Sequence, residues 1–109
     1  MMLVMVAVSI FLGATAAQVL AAEPAPARRA VLIALLRQDC GACHGMTLKG
    51  GLGPPLLPAA LAGKDTAALI QTVLDGRPGT PMPPWRPFLT PDEASWLIKS
   101  LKKGIDSHD

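Results

Sequence analysis

Apolar residues recur at helical spacing in three parts of the chain. Within residues 28–39, Val31, Leu32, Leu35 and Leu36 fall on one helix face. A second stretch covers residues 65–75. Asp65 or Thr66 supplies its N-cap, Leu69, Ile70, Val73 and Leu74 its apolar stripe, and Gly76 its stop. The third stretch has the sharpest ends. Thr90 reads as an N-cap, Pro91 as the first helical residue, and Glu93 as the partner that completes a capping box. Trp96, Leu97 and Leu101 share one face there, with Ile105 as its last candidate. Lys99, Lys102 and Lys103 suit the negative end of the dipole, and Gly104 ends the helix. Residues 45–63 and 77–89 are broken by glycine and proline, with five prolines in the second segment, and both predict loops. No segment has the period of two that a strand requires. The prediction is an all-α fold of three main helices with Pro/Gly-rich loops.

The first 22 residues carry no charged side chain. They begin apolar, turn small and Ala-rich, and end in Val19-Leu20-Ala21-Ala22. That order is the one of a secretory signal peptide cut after Ala21 or Ala22. An uncharged stretch of this length is also long enough for an uncleaved membrane anchor. Ser9, Gly13, Thr15 and Gln18 dilute it, which favours cleavage. The organisation is then signal peptide 1–22, linker 23–27, one domain over 28–105 and a disordered tail 106–109. Fewer than 90 residues remain after cleavage, too few for a large core, so a staple is expected. Two cysteines three positions apart cannot close a useful disulfide loop. A bound prosthetic group is the alternative source of core. The net charge of +2, with no Lys/Arg run longer than two, excludes a nucleic-acid binder.

Cys40-Gly41-Ala42-Cys43-His44 supplies the chemistry. In this spacing two thiols can add to the vinyl groups of one haem edge while the adjacent imidazole faces the iron. A thioredoxin-like pair would need a flanking strand. A zinc site would need four ligands, and His108 near the C-terminus is the one extra candidate. A plain disulfide would leave His44 unexplained. Covalent haem on Cys40 and Cys43, with His44 as an axial ligand, is therefore expected.

The second axial ligand must come from well downstream. Met82, within Gly79-Thr80-Pro81-Met82-Pro83-Pro84-Trp85, offers a soft thioether in a stiffened loop. The competing role for Met82 is gap-filling core. Met46 lies too close to His44 to reach the far face. His44 also needs an acceptor for its other ring nitrogen, and the carbonyl of Pro54 or Pro55 can supply one. Thr80, Trp85, Arg77 and Arg86 are either contacts to a haem propionate or ordinary turn and surface groups. Trp96 reads as helix-packing core.

These features resemble the monohaem class I cytochrome c family over essentially the whole chain after the leader. The resemblance rests on Cys40 to His44, on Gly53-Pro54-Pro55-Leu56, on Thr80-Pro81-Met82 and on the closing amphipathic helix. It implies a small class I cytochrome c fold around one covalent haem, with the first and last helices crossing. It also implies that Pro54 is the acceptor for His44. The runs Asp39 to Leu56 and Gly76 to Pro87 are further similar to the cytochrome c55X (NirC) type, which accompanies the haem c/haem d1 nitrite reductase of denitrifying bacteria. The chain has no tyrosine, so a tyrosine bond to the methionine sulfur is unavailable to it.

The function expected from this resemblance is a periplasmic single-electron carrier, not an enzyme, whose redox partner is a haem d1-containing nitrite reductase. Lys49, Arg77 and Arg86 are candidate steering charges for an acidic partner. Contact with a membrane is expected only if the leader is retained. Two alternatives stand beside it: a haem d1 or nitrite reductase maturation factor, and a ligand-binding haem sensor with an open sixth position.

Overall fold

The computed structural model describes residues 23–105, and Gly13 apart from them. The predicted leader, the predicted tail and His108 lie outside that span. Among the described residues there are helices and loops and no strand, as the all-α reading requires. No helix among them is long and apolar enough to cross a membrane.

Helix α1 spans Pro26–Leu35. It starts two residues before the predicted boundary and takes in the end of the predicted linker. Pro26 causes this, because its fixed φ suits the first helical turn and its missing N–H is not needed there. The chain then widens into a π-helical turn, Leu36–Cys40, closed by the Gly41 N–H donating to the Leu36 carbonyl five residues back. A last α-turn, α2, spans Gly41–His44. Gly41 does not interrupt the helical path. It is helical (φ −61°) and buried, and a β-carbon on it would stand 3.6 Å from the Met46 Cα. The break comes at Gly45, whose φ of 91° ends the helix.

The loop that follows contains a helical turn the sequence pattern missed, α3, Pro58–Leu61, again opened by a proline. Helix α4, Thr66–Asp75, is capped by Asp65, whose carboxylate accepts from the Ala68 N–H at 2.9 Å. Helix α5, Pro91–Lys103, has the predicted capping box: Glu93 N–H donates to Thr90 Oγ1 and Thr90 N–H to Glu93 Oε1.

The first and last helices meet in the core. Leu32 and Leu36 are 0% and 1% exposed and belong to one cluster with Leu48, Leu61, Leu89, Leu97, Ile98 and Leu101. Burying each such side chain stabilises the fold by about 1.5–3 kcal/mol. Ile98, absent from the predicted face of α5, is buried in it, whereas Trp96 is only partly buried against it. At the edge of the crossing Arg28 pairs with Glu93 and donates to the Phe88 carbonyl.

Candidate functional site

The predicted stripe of α4 is not fully covered by protein. Leu74 is buried, but Leu69, Ile70 and Val73 stay half-exposed. Leu69 and Val73, with Leu36, Leu56, Leu61, Leu97, Ile98 and Leu101, wall a cavity of about 340 Å³. Cys40, Cys43, His44, Pro54, Thr80, Met82 and Trp85 all line that same cavity. A second concavity of about 590 Å³, between the outer face of α1 and Trp96, contains none of them.

The π-turn and α2 bring the cysteine pair to the cavity wall. Both are free thiols, Cys40 partly buried and Cys43 exposed. Burial, reinforced by the neighbouring Asp39 charge, pushes the Cys40 thiol up to about 11, so it remains protonated at neutral pH. No group of three or more His, Cys, Asp or Glu side chains suited to a metal ion occurs among the described residues.

His44 is fixed from two sides. Its Nδ1 donates to the Pro54 carbonyl at 2.7 Å. A carbonyl can only accept, so Nδ1 carries a proton, and in the neutral ring the lone pair is then on Nε2. The ring also lies against Gly53, where a β-carbon would fall 2.6 Å from His44 Cε1. The loop is folded so that Gly53 N–H reaches the Cys43 carbonyl at 2.8 Å and Gly50 N–H the His44 carbonyl, also at 2.8 Å. The motif and the Gly-Pro turn thus form one unit.

Met82 arrives on the segment after α4. Its carbonyl accepts from the Arg77 N–H at 3.2 Å, and its N–H donates to Thr80 Oγ1 at 3.3 Å. Thr80 Oγ1 donates in turn to the Arg77 carbonyl at 2.7 Å. In this structure Thr80 therefore serves the turn that carries Met82. Trp85 lines the cavity and packs against Phe88, ring centres 5.9 Å apart. Arg86 is drawn away. Its Nε and Nη2 both donate to Asp75 Oδ1, at 3.0 and 2.7 Å, and it is not part of the lining, whereas Arg77 is. Sequence reasoning missed Lys64 and Thr72, which also line the cavity. The position of Thr72 between Leu69 and Val73 on α4 was the available signal.

The residues present fit a covalently held haem. The wall is apolar, two free thiols stand in it, and an imidazole is held by its Nδ1, which leaves Nε2 as the nitrogen for a metal.

Comparison with known proteins agrees. The family described as cytochrome c oxidase, cbb3-type, subunit III matches residues 30–99. Cytochrome c55X of Pseudomonas aeruginosa is 57% identical over 82 residues, 75% of this chain and 69% of that protein. The solved structure of a c-type cytochrome NirC matches with a TM-score of 0.73 at 56% identity, over 74% of this chain and 95% of that one. Dihydro-heme d1 dehydrogenase NirN, solved in complex with DHE, matches with a TM-score of 0.59 at 40% identity. That match covers 64% of this chain and 15% of the larger one.

Proposed function

Because the chain belongs to the cytochrome c family, within its cytochrome c55X group, we propose that it is the periplasmic electron carrier of a nitrite-reducing system, with His44 and Met82 as axial ligands of its haem c. One observation carries the ligand assignment: the Nδ1 bond to Pro54 leaves Nε2 as the metal-binding nitrogen, on a cavity that Met82 also lines. When bound, haem iron supplies the one-electron couple. The protein's own residues hold and insulate it. His44 is locked in one tautomer, Met82 is tied at both backbone groups, and the leucines of the π-turn, α3, α4 and α5 exclude water. A His/Met ligand pair raises the potential and leaves no position open for a substrate.

The partner-facing surface in this reading is the cavity rim at Cys43 and Leu52. Leu52 is 91% exposed, an apolar contact suited to a brief, small interface. Arg77 and Lys64 at the rim, with exposed Lys49, steer an acidic partner. Arg86 does not serve that role, since Asp75 engages it. Export by the 1–22 leader places the carrier where the partner, a haem d1-containing nitrite reductase, accepts electrons. The test is stopped-flow mixing of the reduced protein with purified nitrite reductase and nitrite. Fast, salt-dependent reoxidation supports the reading; reoxidation no faster than with nitrite alone overturns it.

A second reading has one observation in its favour, the likeness to part of a dihydro-heme d1 dehydrogenase. In that reading the protein serves maturation of the reductase. A Cys40→Ala/Cys43→Ala variant that still supported maturation in cells would favour a maturation role without electron transfer.

A further inference from the structure

The segment from Gly76 to Trp85 carries Met82 but contains no helix of its own. We propose that Asp75 and Arg86 form a clasp across the base of this segment and act as positioning residues that keep Met82 at the cavity. The proposal rests on the reading of Met82 as an iron ligand.

Asp75 is the last residue of α4, and Arg86 lies eleven positions further along. The guanidinium reaches Asp75 Oδ1 through two donors, and Gln71 Nε2 donates to the other oxygen, Oδ2. Arg86 and its partner thereby fix the outgoing and returning ends of the Met82 segment to each other. Backbone bonds run beside them. Trp85 N–H donates to the Val73 carbonyl at 3.0 Å and Arg86 N–H to the Leu74 carbonyl at 3.1 Å. These are carbonyls at the C-terminal end of α4, which the helix itself leaves without partners. The returning chain therefore caps the helix as well as closing the loop.

The two ends approach so closely that only glycine fits between them. Gly76 has φ 69°, and a β-carbon there would lie 2.7 Å from the Met82 carbonyl oxygen, the Pro83 carbonyl carbon and the Pro84 nitrogen. Within the loop, Met82 itself is tied by the long Arg77 and Thr80 contacts. Swinging Met82 out needs the base to open, and the side-chain part of that base is the Asp75–Arg86 pair. Both side chains are about half exposed (47% and 50%), so solvent screening keeps the effect modest.

Imidazole, which competes with a methionine for iron, is the probe. Its affinity for the oxidised holoprotein is compared among wild type, Asp75→Asn, Arg86→Gln and the swap Asp75→Arg/Arg86→Asp. Arg28→Gln, which breaks the Arg28–Glu93 ion pair outside the 75–86 segment, serves as the control. Asp75→Asn and Arg86→Gln are expected to bind imidazole about two- to fivefold more tightly. The swap should recover most of the wild-type value, and Gly76→Ala should exceed the single charge variants. Arg28→Gln should lower the melting temperature without changing imidazole affinity. Unchanged affinity in Asp75→Asn and Arg86→Gln, or an equal shift in Arg28→Gln, overturns the clasp. Met82→Ala separates the two levels. If its spectrum and imidazole affinity match wild type, the ligand reading fails and the clasp with it. If Met82→Ala binds imidazole tightly while the charge variants are silent, the clasp alone fails.

Discussion

His44 and Gly53 are in contact so close that no side chain fits between them: a β-carbon on Gly53 would come within 2.6 Å of the imidazole Cε1 and 2.7 Å of Nδ1. The next carbonyl along, that of Pro54, takes the Nδ1 proton. Glycine and proline thus act as one support, the first by leaving room and the second by accepting the proton. Gly53→Ala must move the ring or the loop, and it should cost on the order of 2 kcal/mol of stability. Denaturant unfolding monitored at the haem absorption measures this. An unchanged midpoint would mean that the loop relaxes freely and that the contact constrains nothing.

Leu32 is fully buried where α1 crosses α5. Leu32→Ala removes three heavy atoms from a close-packed site and should destabilise by about 2–5 kcal/mol. In a domain this small that loss is a large share of the total. Urea unfolding with an unaltered slope and a lowered midpoint is the expected result.

Acid should weaken the same crossing. The Arg28 guanidinium, helped by the Thr90 backbone N–H, holds the Glu93 carboxyl below the ordinary glutamate value. A carboxyl depressed in the folded state stabilises the fold above its unfolded pKa, and that contribution disappears as pH falls through the lower folded value. Glu93→Gln removes the titration. Its melting temperature should be lower than that of wild type near neutral pH, and the gap should close below about pH 4.3. Parallel profiles of melting temperature against pH would show that the pair does not contribute.

The sequence was most informative where the signals are local. Thr90, Pro91 and Glu93 lie within four positions and define the start of α5 by themselves. Cys40 to His44 define the haem chemistry in the same way. The π-turn over Leu36–Cys40 was not legible, because a shift from a four- to a five-residue hydrogen-bond step changes no residue type. Prolines misled twice. Pro26 and Pro58 suggested linker and loop, yet both open helices, where a missing N–H costs nothing. Arg86 looked like a charge for a propionate or a partner. Its engagement by Asp75 depends on the chain doubling back after Gly76, which no local pattern encodes. Thr80 likewise acquires its place in the Met82 turn only once Arg77 and Met82 are brought together.

The most direct measurement compares carbon monoxide binding by the reduced wild-type protein and by Met82→Ala, alongside the weak far-red absorption that methionine–iron ligation gives the oxidised form. If His44 and Met82 fill both axial positions of an electron carrier, the wild type shows that absorption and does not bind carbon monoxide. Met82→Ala then keeps its covalent haem, loses the absorption and binds the gas readily. Carbon monoxide binding by the wild type, or a Met82→Ala protein indistinguishable from it, would contradict the assignment.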